Sequence, residues 1–325
     1  MRLLRVFLLC FFSGVVMAGE SFAYADVVET GTLNQISHYN ANTAIETVIK
    51  DPVFEENGRY LFPLNSSCFS GETLKDLSLF WYTRPNIKDT LNILKSRVTA
   101  GEHIFIDIYT DTEKRKDPSK SDVKLIFFKG KNKAKTAILN AGGGFVYVGA
   151  MHDSFPHALE LSKRGYNAFA LIYRAGSQNA LSDLAHALVY LYEHQNDLEI
   201  DMNDYSLWGG SAGARMATIL GTEGTSAFGL KSIPLPAAVI MQYTSYSNVS
   251  GGEVPTYSNV GNADGIVDYR VMRRRMQIIQ DNGTDTMFEL FDGLPHGFGI
   301  GRDTVAFGWL DRAITFWEMH MNTTK

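Results

Sequence analysis

Cysteine is nearly absent from this 325-residue chain. Cys10 and Cys68 are its two thiols, too few for a disulfide-framework protein. A positive field is absent as well: 30 Lys and Arg stand against 35 Asp and Glu, a net charge of −5. No basic surface exists to hold a phosphate backbone, so nucleic acid is not an expected partner. No internal repeat or low-complexity linker occurs. Neither G-x-x-x-x-G-K-[ST] nor G-x-G-x-x-G is present, which weakens any phosphate- or dinucleotide-binding reading. H-E-x-x-H and tight Cys/His clusters are missing too, so no metal or cofactor is expected. What remains is an ordinary globular composition, 45% hydrophobic and 20% charged, with chain enough for a large core in one or two domains.

The first 25 residues read as a targeting segment. Arg2 and Arg5 give a positive start, and Val6 to Ala18 is interrupted only by Cys10, Ser13 and Gly14. That run is short for a bilayer span. Ala23-Tyr24-Ala25 places small residues at −3 and −1 before Asp26, the pattern of a signal-peptide cleavage site. The expectation is an exported protein, periplasmic or secreted, with residues 1–25 removed and no stable membrane anchor left. The alternative is an uncleaved anchor. A lipoprotein is disfavoured because bulky Leu9 precedes Cys10. Cleavage would leave Cys68 as a lone thiol, expected to be buried.

Residues 26–100 are irregular, with a helix expected over Ile87–Val98; they form an N-terminal extension expected to pack on the domain that follows from residue 101. A hairpin signal comes next. His103–Thr110 alternates with period 2, and Val123–Lys129 is a second strand, with Asp111–Asp122 between them as a solvated polar turn. From residue 135 strands and helices alternate. Strands are expected at Lys135–Asn140, Tyr166–Tyr173, Tyr205–Trp208, Pro236–Tyr243, Thr256–Val260 and Thr286–Phe291. Helices are expected at Phe155–Arg164, across Leu181–Tyr192, and at Ala212–Leu220, Tyr269–Asn282 and Thr304–Met321, with Arg273, Arg274 and Arg275 on an exposed side. Such alternation predicts an α/β fold with a mostly parallel central sheet flanked by helices. The hairpin would extend it antiparallel at one edge.

Gly209-Gly210-Ser211-Ala212-Gly213 fits G-x-S-x-G between an apolar strand and an Ala-rich helix. A serine on such a strand-to-helix turn is lifted clear of the sheet, its neighbours must be small, and the helix N-terminus favours negative charge beside it. Ser211 is therefore the candidate nucleophile. Gly142-Gly143-Gly144 follows a buried strand 69 residues earlier. Backbone N–H groups of Gly142 and Gly143, with that of Ala212, would form an oxyanion hole. A serine nucleophile needs a base and the base an orienting acid. Among eight histidines, His296 alone lies in a Gly/Pro-rich loop after a late strand; His152 lies near the glycine loop and could line the site without being the base. Asp264 follows the Thr256–Val260 strand and is the preferred acid. Asp268 is its rival, or else the cap of the next helix.

The stretches LNAGGGFVYVG, YNAFALIYR, LWGGSAGARMA, VGNADGIVD and GLPHGFG together resemble the α/β-hydrolase superfamily, and most closely serine esterases of the acetyl-xylan-esterase and hormone-sensitive-lipase-like kind. The resemblance covers residue 123 onward. Two departures stand out: Asn140-Ala141 replaces the His that often precedes the triple glycine, and Ala214-Arg215 follows S-A-G where a second glycine is common. The resemblance implies the α/β-hydrolase fold and a secreted serine hydrolase with the order Ser211, Asp264, His296. Its substrate would be a small ester or an acylated carbohydrate, cleaved through an acyl-enzyme. Phe145, Tyr147 and Tyr243 would stack on sugar or aryl groups, or else fill the core. A serine peptidase of the same fold and a catalytically silent binding protein are the alternatives.

Overall fold

The computed structural model describes residues 38–63, 72–77 and 87–321. The expected signal segment and both cysteines lie outside the described residues. Eight strands form one sheet: β1 (Phe105–Ile106), β2 (Lys124–Phe128), β3 (Lys135–Asn140), β4 (Asn167–Ile172), β5 (Asp201–Gly210), β6 (Ala238–Gln242), β7 (Thr256–Gly261) and β8 (Thr286–Phe291). Their spatial order is β1-β2-β4-β3-β5-β6-β7-β8. β2 runs antiparallel to both neighbours, and every other pair from β4 to β8 is parallel.

β4, β6 and β7 are buried along their whole length. That is the signature of parallel strands covered on both faces, and the sequence shows it as continuous apolar runs such as AFALI. The helices among the described residues are α1 (Ile45–Ile49), α2 (Ile87–Thr99), α3 (Asp111–Lys116), α4 (Ala150–Asp153), α5 (Phe155–Lys163), α6 (Ser177–Glu193), α7 (Ala212–Glu223), α8 (Tyr269–Asp281) and α9 (Trp309–Met319). Helix α7 lies on β5 and β6, α5 on β4 and β3, and α8 on β7 and β8. Tyr39, Val48, Phe54, Leu91 and Leu94, from before residue 100, belong to the same buried cluster as the sheet. Among the described residues no helix is long and apolar enough to cross a membrane.

Helix α9 closes the core with aromatic side chains. Trp309 and Trp317 approach Trp208 of β5 at 6.3 and 6.5 Å, and Trp309 stacks on Tyr257 of β7 at 6.2 Å. The Trp317 indole N–H donates to the Asp204 carbonyl at 2.7 Å. Each ring thus buries a large apolar area, while the polar edge of Trp317 finds an acceptor.

Three expectations are corrected. Asp111–Asp122 is not a bare turn: it folds into α3 and a 3₁₀ segment, Pro118–Asp122. Thr110 and Glu113 form a capping box there, the Glu113 carboxylate accepting the Thr110 N–H at 2.9 Å. Helix α9 starts at Trp309 and not at Thr304, because Gly308 has φ +83° and interrupts the approach. Arg275 is buried at 2% exposure, and its Nε donates to the Asn248 carbonyl at 2.9 Å. Three consecutive arginines are spread over about 200° of a helix at 3.6 residues per turn, so they cannot share one exposed side.

Candidate active site

Strand β5 delivers Ser211 into a sharp turn with φ +52° and ψ −115°, immediately before α7. Backbone of this kind costs on the order of 1–3 kcal/mol and persists where packing enforces it. Enforcement is visible here. The Ser211 N–H donates to the Gln242 carbonyl at the end of β6, at 3.0 Å. A Cβ at Gly213 would strike the Asn140 carbonyl oxygen, and one at Gly210 would strike the Asp153 carboxylate. Those two positions must therefore be glycine if the turn is to close.

Asp264 follows β7, and His296 lies in the loop after β8. The His296 Nδ1 is 2.8 Å from Asp264 Oδ2, with the two side chains 5% and 0% exposed. Asp264 Oδ1 accepts the N–H groups of Ile266 and Val267, both at 2.8 Å. The carboxylate is thus fixed by its own loop before it meets the imidazole. The His296 loop is pinned in turn. Asn262 donates to Asp292 at 2.7 Å and accepts the Gly293 N–H at 2.7 Å. Asp268 does something else: it is exposed and caps α8, accepting the Arg270 N–H at 2.9 Å. Ser211, Asp264 and His296 thus all stand beyond the C-terminal ends of parallel strands, on one edge of the sheet.

The glycine loop abuts the serine. A Cβ at Gly142 would lie 3.0 Å from the Ser211 Cβ. Its carbonyl neighbours are braced: the Tyr173 hydroxyl donates to the Ala141 carbonyl at 2.7 Å. Gly142, expected as an oxyanion donor, has its N–H committed elsewhere, to Asp153 Oδ2 at 2.6 Å. The Gly143 N–H has no acceptor among the described residues, and Ala212 is the first residue of α7, where helical N–H groups have no intrahelical partner. Tyr243 does not face a substrate. It is fully buried, its hydroxyl bonds to Asp153, and its ring meets the His296 ring edge-on at 4.9 Å. Phe145, at φ +62°, is half-buried and lines the pocket with Ser211. Tyr147 lies on the far side of the loop, in a separate pocket with Arg174.

Two residues that line or brace the site were not expected there from the sequence. Asp153 is buried on α4 and ties together Gly142 and Tyr243. Arg215 sits one turn along α7 from Ser211 and lines the same pocket, of about 370 Å³. A larger cavity of about 470 Å³ lies elsewhere, between α2 and α5, and includes none of the three candidate residues. His152 opens on that cavity. Its Nε2 is 3.4 Å from the Leu77 carbonyl, and burial pushes its pKa down to about 4.

The fold has solved counterparts. An esterase from the planctomycete Thermogutta terrifontis, with propionate bound, superposes with a TM-score of 0.57 at 19% identity, over 66% of this chain and 93% of its own. This chain has the α/β-hydrolase fold. A second structure of that esterase, phosphorylated by paraoxon, shares the fold at a TM-score of 0.55 and 19% identity, over 68% of this chain and 95% of its own. MGS-M1, an α/β-hydrolase enzyme from a Medee basin deep-sea metagenome, does so at 0.56 and 21%, over 66% and 96%. The BD-FAE family model matches residues 126–282, a little under half of the chain, spanning the glycine loop, the serine turn and Asp264. No curated protein sequence matches this chain.

Proposed function

We propose that the protein is a serine hydrolase that cleaves carboxylic esters of short acyl groups or of acylated carbohydrates. In this reading the Ser211 hydroxyl attacks the ester carbonyl while His296 takes its proton through Nε2. Asp264 fixes the imidazole by its contact with Nδ1 and stabilises the imidazolium that forms. The N–H groups of Gly143 and Ala212 hold the developing oxyanion. The alcohol leaves with the proton from His296. Water, deprotonated by the same imidazole, then releases the acid from the acyl-enzyme. The observation that carries the reading is the buried Asp264–His296 pair on the same sheet edge as the strained Ser211. The fold shared with an esterase found in propionate-bound and paraoxon-phosphorylated forms supports it. So does the polar pocket wall of Thr244, Ser245, Ser247 and Asn248, which suits a hydroxyl-rich or short acyl partner.

A fluorophosphonate probe should label the protein at Ser211, located by peptide mass spectrometry. On 4-nitrophenyl acetate, Ser211→Ala and His296→Ala should each lose on the order of 10⁶-fold in kcat, with the double variant little worse than either single. Asp264→Asn should keep more activity. A folded Ser211→Ala protein with parent-like turnover would end this assignment.

A further inference from the structure

Arg215 is the feature of the pocket that ester hydrolysis alone does not require. It lies one turn into α7, its N–H donating to the Ser211 carbonyl at 3.3 Å. The residue is exposed and lines the pocket together with Ser211 and Phe145. Its guanidinium stands 5.9 Å from the Phe145 ring centroid, at the limit of a cation–π contact. No carboxylate lines this pocket, and no ion pair among the described residues involves Arg215. The next acid along its own helix, Glu223, is eight residues on, about 12 Å at 1.5 Å per residue. The remaining polar wall is neutral: Thr244, Ser245, Tyr246, Ser247 and Asn248. An arginine in such a place presents a permanent positive charge and a bidentate fork to whatever enters beside the serine.

We infer that Arg215 selects esters carrying a second, anionic group, a carboxylate in the simplest case, close to the scissile carbonyl. Ser211 and Arg215 stand about one helical turn apart along α7, a rise of ~6 Å at 1.5 Å per residue. A carboxylate roughly three or four bonds from the carbonyl would therefore meet the guanidinium while the carbonyl meets Ser211. The anion could belong to the acyl side or to the leaving group, and either gives the same charge-assisted fork. The inference rests on the serine-hydrolase reading above and adds the class of ester.

The test has two arms, each a pair of esters compared by kcat/KM. For the acyl side the pair is mono-4-nitrophenyl succinate and 4-nitrophenyl pentanoate. For the leaving-group side it is 2-acetoxybenzoate and phenyl acetate. The ratio of anionic to neutral substrate is taken in the parent and in Arg215→Gln, so that intrinsic ester reactivity cancels. In one arm the ratio should fall about tenfold in Arg215→Gln and further in Arg215→Glu, with Arg215→Lys between parent and Gln. That arm names the side that bears the anion. The parent ratio should also shrink in 0.5 M sodium chloride, as screening weakens an exposed attraction. Equal ratios in parent and Arg215→Gln in both arms, with neutral esters still turned over, overturn the inference and leave the ester reading intact. A protein that turns over no ester and takes no fluorophosphonate label overturns the ester reading, and this inference with it.

Discussion

Asp153 accepts from the Gly142 N–H and from the Tyr243 hydroxyl, and its carboxylate fills the space that a side chain at Gly210 would need. One buried carboxylate thus touches the glycine loop, the end of β6 and the residue before Ser211. Asp153→Asn replaces one accepting oxygen by an NH₂ group, which must then face a donor. The glycine loop or Tyr243 has to shift, and small shifts in a reacting constellation cost up to about 100-fold. The variant should fold, with kcat on 4-nitrophenyl acetate about 10- to 100-fold lower and KM little changed; parent-like kcat would show that Asp153 is merely a filler. Ser211, Asp264 and His296 are candidates in the sequence because each stands among glycines or other turn residues beyond a strand. The sequence does not single out Asp153, whose Tyr243 partner is 90 residues away, nor does it place Tyr243, since an aromatic after a strand reads equally as contact surface or as core.

Among the elements, α8 shows what period alone can and cannot say. Its span matched the expected one, yet Arg275 belongs to the buried stripe with Met272, Met276 and Ile279. Burial pushes the Arg275 pKa down, while Glu253 beside it pushes up. The guanidinium bonds the Asn248 carbonyl and lies 3.8 Å from the Glu253 carboxylate, which also accepts from the Ser250 and Gly251 N–H groups. It therefore fastens the loop between β6 and β7, part of which walls the pocket, to α8. Removing one partner of a buried pair leaves the other charge uncompensated. Arg275→Ala should lower stability by about 3 kcal/mol in urea unfolding, whereas exposed Arg274→Ala should stay within about 0.5 kcal/mol. Similar losses in both would contradict the anchoring role. The strand expected over His103–Thr110 is reduced to Phe105–Ile106, whereas the strands from β2 onward were legible as apolar runs. Helix α3 was not, because its stability comes from the Thr110–Glu113 capping box and not from any apolar stripe: none of its residues is buried.

For the molecule as a whole, the buried histidines set a response to acid. Burial pushes His152 down from 6.5 to about 4, and drives His157, enclosed beside Gln242 at 2.9 Å, down as well. A histidine depressed in the folded state binds its proton more readily when unfolded. Stability is therefore complete above the unfolded value of about 6.5 and is lost as pH falls from there towards the folded value. For His152 alone the shift corresponds to on the order of 3 kcal/mol. The melting temperature should drop between pH 7 and pH 4.5, and the drop should be smaller in His152→Gln; an equal drop in that variant would place the acid sensitivity elsewhere. The layer architecture was readable from strand–helix alternation. The spatial order was not, because it depends on crossovers: β3 sits between β4 and β5, and β2 pairs with β4 rather than with β3.

Helix α9 carries a consequence in time. Trp208 of β5 and Tyr257 of β7 rest against Trp309, Trp317 and Phe316, and all of these partners are made after the last strand. At ~5–20 residues per second, the roughly one hundred residues between Trp208 and Trp309 take ~5–20 s to synthesise. Through that interval the growing chain carries β5 without the aromatic wall that shields it. An indole-bearing face of the central strand is then open to any factor that gathers nascent chains, and it closes only once the ribosome has passed α9.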